Sequence, residues 1–272
     1  DGPQVLRRAT EATVVDVVSS GRLWHAVLRA DPTAAAAAVA RGAEPLRVVL
    51  LHGMLQSCSC WLEVACALSL RGHEVLLLDW PHHGRSPTAA QIGVAMSADG
   101  FLLSLERLLA AVGWAFGPPL ALAGCSLGGV LALKYACAHP ARVARLTLVA
   151  PAGLSEPGWN LPFHVLSRLV GSLPHKLAEL CRQTPTYGVK EEEVVAMAER
   201  LRPEGGLRVV VAGCDLVHTP HEAFWTSLVP PSNFSLHRLT SHWWLCSHLF
   251  GLRLHEEPGC WERSAAQPRS RL

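Results

Sequence analysis

The sequence predicts an α/β protein, a mostly parallel, twisted sheet of about eight strands with helices on both faces. Two observations carry this reading. Short apolar runs such as Val48-Val49-Leu50-Leu51 and Val75-Leu76-Leu77-Leu78 alternate with longer helix-like segments and end in turn residues, as buried strands do. The chain has 272 residues, of which 50% are hydrophobic and 17% charged, enough to bury the core of one large domain of this class.

Each element follows from local pattern. Thr13 to Val18 and Leu23 to Leu28 flank Ser20-Gly21 and predict an antiparallel hairpin at the sheet edge. Parallel strands are expected near Leu46 to Leu51, His73 to Asp79, Leu120 to Ala123, Arg145 to Ala150, Leu207 to Ala212 and Phe234 to Leu239. Helices are expected over Trp61 to Leu70, Ser97 to Val112, Leu127 to Ala138, Leu161 to Arg182 and Glu191 to Leu201, with a further helical run at Ala34 to Ala38. The segment from Gly153 to Gly205 is longer than one crossover needs and carries Pro157, Trp159, Pro162, Phe163 and Pro174, which reads as an inserted lid. The domain organisation is therefore a core over residues 1–154, a short helical cap over 155–205, a second part of the core over 206–256, and a tail over 257–272. That tail lacks helical periodicity and is expected to be disordered.

Charge and cysteine usage exclude several function classes. Twenty-four basic and 22 acidic residues give a net charge of +2 without long like-charge runs, so neither nucleic acid nor an anionic membrane is an indicated partner. No apolar run reaches the roughly 18 residues of a membrane-spanning helix, and no targeting segment is recognisable. Nine cysteines, scattered rather than set in a framework, favour reduced thiols and a reducing compartment. Cys58-Ser59-Cys60 lacks the spacing of a metal knuckle, so no metal site is expected.

The chemistry is concentrated in Gly124-Cys125-Ser126-Leu127-Gly128. An apolar run, Leu120 to Ala123, leads into it and an Ala-rich helical run leads out. A serine at the apex of such a strand-to-helix turn is pushed outward as a nucleophile, and the flanking glycines let the two backbones approach. It needs a base, a carboxylate to orient that base, and amide donors for an oxyanion. Asp215 follows the Val209-Val210-Val211 run and His242 follows the last strand, which gives the order Ser126, Asp215, His242. The backbone N–H groups of Met54, after His52-Gly53, and of Leu127 are the candidate oxyanion donors. His52 itself reads as shaping its turn by hydrogen bonding.

On these residues the chain resembles the α/β-hydrolase superfamily, in its branch of esterase-, lipase- and C–C-hydrolase-like enzymes with a helical cap. The similar segments are Val48 to Met54 with Ser57 and Trp61, Asp79-Trp80-Pro81-His82-His83-Gly84-Arg85-Ser86, the elbow from Gly124 to Gly129, and Leu148 to Leu154. The resemblance implies Ser126 as nucleophile, His242 as general base then acid, Asp215 as its orienter, and structural roles for Asp79 and Arg85. Three positions depart from the family pattern: His82 and Ser241 stand where glycines are usual, and Asp215 follows Gly213 at a tight spacing.

The expected activity is hydrolysis of a carboxylic ester through an acyl-enzyme, as in a carboxylesterase or lipase, with no cofactor and with a small-molecule ester as partner. Leu55, Trp159, Leu161, Phe163, Trp225, Trp243 and Trp244 are candidates to line an apolar acyl or aryl pocket. The same triad also serves C–C hydrolysis of diketone-like substrates. Outside enzymes, the alternative is a ligand-binding protein that keeps the pocket and leaves Ser126 unactivated.

Overall fold

The computed structural model describes residues 13–14, 23–54, 56–149, 151, 189–201, 206–212, 227–228 and 233–237. They build an eight-stranded sheet: β1 (Thr13–Val14), β2 (His25–Leu28), β3 (Arg47–Leu51), β4 (Glu74–Leu78), β5 (Leu120–Cys125), β6 (Val143–Val149), β7 (Leu207–Ala212) and β8 (Phe234–His237). The strand order is β1-β2-β4-β3-β5-β6-β7-β8. β1 pairs antiparallel with β2, and β2 with β4, His25 lying opposite Leu78. Every other pair is parallel. The α/β class and its mostly parallel sheet are therefore as the sequence predicts.

The central strands are continuous apolar runs because helices cover both of their faces. Side chains alternate between two cores. Val49, Leu51, Leu76 and Leu78 fall in the larger one, while Val48, Leu50, Val75 and Leu77 fall in the smaller. The larger core is closed by α3 (Ala98–Ala111), α4 (Leu127–Ala138) and α5 (Glu191–Leu201), through Phe101, Leu105, Val130, Leu131, Val194 and Met197 among others. The smaller is closed by α2 (Leu62–Leu70), through Ala65 and Cys66. Each such buried aliphatic or aromatic side chain contributes roughly 1.5–3 kcal/mol. By contrast, the Lys134–Asp99 pair that joins α4 to α3 at 2.7 Å has its Asp99 side chain 83% exposed. A pair of that kind adds at most about 1 kcal/mol, so apolar packing holds these helices.

Helix starts follow their capping residues. α1 (Pro32–Ala40) extends the expected Ala34 to Ala38 run in both directions. Asp31 accepts a hydrogen bond from the Ala34 N–H at 3.0 Å, and Pro32 occupies the first turn, where its missing N–H is no loss. Ser97 caps α3 in the same way, accepting from the Gly100 N–H at 3.1 Å. α4 is buried along most of its length, as a helix at the centre of one layer must be. Before α2 the chain makes a 3-10 turn over Cys58–Trp61, one turn earlier than the expected helix start at Trp61.

α5 lies within the segment expected as a cap, yet Val194, Met197, Ala198 and Leu201 share a core with α4. Arg200 Nη2 donates to the Val143 carbonyl at 2.9 Å, tying this helix to the start of β6. Residues 155–188, the expected helix over Leu161 to Arg182 among them, lie outside the described residues, as does the tail over 257–272.

Candidate active site

β3 and β5 are neighbours in the sheet, but the chain leaves β3 for β4 on one side before it returns to β5 on the other. Open α/β sheets form their sites at such a reversal, in the crevice beyond the carboxyl ends of the strands. Two loops meet there. One is His52-Gly53-Met54, after β3. The other is the turn from β5 into α4, with Ser126 at its apex.

Ser126 has φ 51° and ψ −116°, a conformation that costs a residue with a Cβ about 1–3 kcal/mol and persists only where its surroundings impose it. The surroundings here are backbone. The Ser126 N–H donates to the Val149 carbonyl of β6 at 3.0 Å, and the Ser126 carbonyl accepts from the Val130 N–H of α4 at 3.1 Å. Glycines make the turn possible. A methyl group added at Gly124 would collide with the Gly128 carbonyl, and one at Gly128 would collide with the Leu51 carbonyl and stand 2.6 Å from that of His52. The expected role of the elbow glycines, close approach of strand and helix, is thus met at both positions.

The β3 loop lies directly against the Ser126 turn. A methyl added at Gly53 would stand 3.2 Å from Ser126 Cβ and 3.3 Å from the Cys125 carbonyl oxygen. Of the candidate oxyanion donors, Leu127 is buried as the first residue of α4 and Met54 packs against the larger core. Met54, Ser126 and Leu127 are the predicted site residues that fall among the described ones. Asp215, His242, Leu55, Trp159, Leu161, Phe163, Trp225, Trp243 and Trp244 lie outside them.

Beneath the β3 loop sits a buried polar cluster: His52, Asp79 and His83. The Asp79 carboxylate accepts from the Cys58 N–H at 2.6 Å and the Arg85 N–H at 2.9 Å, which ties the turn before α2 to the turn after β4. Burial, reinforced by this carboxylate, pushes the Cys58 thiol far above its ordinary range, so that thiol is a packing group. His52 Nε2 accepts from the Trp80 N–H at 3.0 Å, and its Nδ1 lies 2.7 Å from the Gly53 carbonyl oxygen. His52 Nε2 and Asp79 Oδ1 are 4.0 Å apart, but with Nε2 already accepting from Trp80 this is no ion pair. Arg85 lies over the Trp24 ring at 4.6 Å, and His82, in the place of a family glycine, has φ 64°. The structural roles expected for Asp79 and Arg85, and the turn-shaping expected for His52, match these contacts.

Sequence reasoning passed over Gln56. Its side-chain oxygen accepts from the Gly53 N–H at 2.8 Å and its own N–H reaches the Gly53 carbonyl at 3.3 Å. Nothing in the spacing of a single glutamine signals that contact.

The cluster makes stability depend on pH. Burial first, then the neighbouring His83, lowers the His52 pKa from 6.5 to about 4, against the raising effects of the Gly53 hydrogen bond and of Asp79. Burial lowers His83 as well. Between pH 6.5 and about 4 the unfolded chain binds a proton at His52 that the folded chain refuses. Stability is therefore complete above this window and falls as pH falls through it, by roughly 3 kcal/mol for His52, with His83 adding to the loss. Urea midpoints measured at pH 7 and pH 5 should show the lower value at pH 5. Equal midpoints would mean that His52 is not held neutral.

Comparison with known proteins agrees with this architecture. The chain belongs to the alpha/beta hydrolase fold family, whose model matches residues 47–186. It is 27% identical to the monoacylglycerol lipase ABHD6 of Homo sapiens over 196 residues, which cover 70% of this chain and 56% of that protein. It is 38% identical to the pimeloyl-[acyl-carrier protein] methyl ester esterase of Methylococcus capsulatus over 139 residues, which cover 50% of each. The chain thus spans about half the length of these curated relatives. Among solved structures, a candidate lipase from Acinetobacter baumannii AYE superposes with a TM-score of 0.58 at 16% identity, over 86% of this chain and 87% of that one. That likeness is one of fold.

Proposed function

We propose that the protein is a serine hydrolase that cleaves a carboxylic ester with an apolar acyl or aryl group through an acyl-enzyme. The observation that carries this reading is the strained backbone of Ser126 at the end of β5, with the Gly53 loop in van der Waals range of it. Kinship with lipases and esterases supports the reaction class.

In this mechanism Ser126 Oγ attacks the ester carbonyl while His242, oriented by Asp215, takes the hydroxyl proton. The carbonyl oxygen gains the negative charge and accepts from the Met54 and Leu127 N–H groups. When the tetrahedral intermediate collapses, the bond to the leaving alkoxide breaks and His242 returns the proton to it. Water, activated by the same histidine, then attacks the acyl carbon and releases the carboxylic acid and free Ser126. Removing one oxyanion donor costs on the order of 10² to 10³ in kcat, so the placement of both loops matters as well as the serine.

Fluorophosphonate labelling tests the assignment, because such a probe requires only an activated serine. The folded wild-type protein should label, and Ser126→Ala, shown to be folded by circular dichroism, should not. A folded wild type that stays unlabelled would overturn the proposal.

A further inference from the structure

We propose that His52 is a positioning residue for the oxyanion site: its Nδ1–H pins the Gly53 carbonyl on the buried side of the β3 loop and so presents the Met54 N–H on the opposite side. The proposal rests on the serine-hydrolase reading and adds to it a group that touches no substrate.

The tautomer follows from one backbone donor. The Trp80 N–H can only donate, and it points at His52 Nε2 from 3.0 Å, so Nε2 carries the lone pair. A neutral imidazole then has its hydrogen on Nδ1. That hydrogen faces the Gly53 carbonyl oxygen across 2.7 Å, and the direction of the bond is fixed without any hydrogen having been located. The fully buried ring stays neutral in neutral solution, since its surroundings oppose its protonation. A second ring hydrogen would also face the Trp80 N–H donor to donor.

Peptide planarity carries the effect one atom group further. In a trans peptide unit the carbonyl and the following N–H point in opposite directions, and the Gly53–Met54 unit is trans. A carbonyl held inward by His52 therefore leaves the Met54 N–H directed away from the buried imidazole. Glycine is the residue type whose flanking peptides rotate most freely; the short His52 bond, with the longer one from the Gln56 N–H at 3.3 Å, keeps this unit from turning over and presenting its carbonyl, an acceptor, where a donor is needed.

The ring is itself held. Trp80 Nε1 donates to the His52 carbonyl at 3.2 Å, and the His83 ring lies against that of His52 with centroids 5.2 Å apart. The oxyanion loop is thus fastened to the turn after β4 through both backbone and side chain. Gln56 braces the same glycine, its side-chain oxygen accepting from the Gly53 N–H and its own N–H donating to the Gly53 carbonyl.

Two variants split the two functions of the ring. His52→Asn keeps an amide donor where Nδ1–H stood, and His52→Gln keeps an acceptor near the position of Nε2. With a p-nitrophenyl ester as substrate, His52→Asn should hold kcat within about tenfold of wild type, while His52→Gln should lose roughly 10² to 10³ in kcat, with KM little changed, at comparable melting temperature. Rescue by asparagine alone is a result that a merely structural histidine would not give. Equal kcat in the two variants, or a loss confined to KM, would overturn the proposal. Should neither variant fold, ring-nitrogen NMR of the wild-type protein decides: a protonated Nδ1 and an unprotonated Nε2 at pH 7 support the role, and the opposite tautomer overturns it. A wild type that neither labels with the fluorophosphonate probe nor cleaves the ester would instead remove the serine-hydrolase reading beneath the proposal, a failure seen before any variant is compared.

Discussion

Ser126→Ala should lower kcat for any ester the protein turns over by roughly 10³ to 10⁶ while leaving the fold intact. Both halves of that expectation come from the elbow. In the proposed mechanism the hydroxyl is the attacking group, and without it only binding and oxyanion stabilisation remain. The fold survives because the bonds that hold residue 126 run through its N–H to Val149 and through its carbonyl to Val130, and alanine keeps both. Alanine also keeps the strain, since it too carries a Cβ at φ 51°. Ser126→Gly should therefore be equally inactive but more stable than Ser126→Ala, by about 1–2 kcal/mol. Steady-state kinetics with thermal melts of both variants would check this. Ester turnover retained by a folded Ser126→Ala would remove Ser126 from the mechanism.

Gly128→Ala should destabilise the protein by about 3 kcal/mol or more, at the upper end of overpacking effects. The added methyl would enter the Leu51 carbonyl and stand 2.6 Å from that of His52. Both are backbone atoms at the end of a central strand, so relief requires moving β3 or the start of α4. Gly93 provides the control. It has φ 66° with nothing within 4 Å of an added methyl, so Gly93→Ala should carry only the backbone penalty of roughly 1 kcal/mol. For a chain of this size 1 kcal/mol corresponds to about 2–4 °C in Tm, which separates the two variants clearly in a melting experiment. A Gly128→Ala protein that melts with Gly93→Ala would mean that the strand and helix are less closely apposed than the elbow geometry requires.

Much of this was legible in the sequence, for identifiable reasons. Strands buried on both faces show as unbroken apolar runs, so β3 and β4 announce themselves in Val48 to Leu51 and Val75 to Leu78. The elbow is legible because close backbone approach demands glycine at particular spacings around the serine. α1 was legible only in part: the alanine run showed its middle, while its start is set by Asp31 and Pro32. What the sequence could not display is contact between distant segments. That His52 bonds to Trp80, or that the Cys58 N–H finds Asp79, depends on which loop ends stand side by side, and no local pattern encodes it. The positive φ of His82 became readable only through the resemblance, as a histidine in a glycine's place.

Gly53 and Ser126 meet across the β3–β5 boundary, yet β4, α2 and α3 all intervene between them in sequence. Closing so long a loop is entropically unfavourable until the intervening elements have docked. No early fragment of the fold can hold Ser126 against the Gly53 loop. On the proposed reading, newly made or refolding chains should thus remain inert through collapse and helix formation, and ester turnover would be a late marker of maturation, sensitive to the correct threading of the central sheet and blind to everything that precedes it.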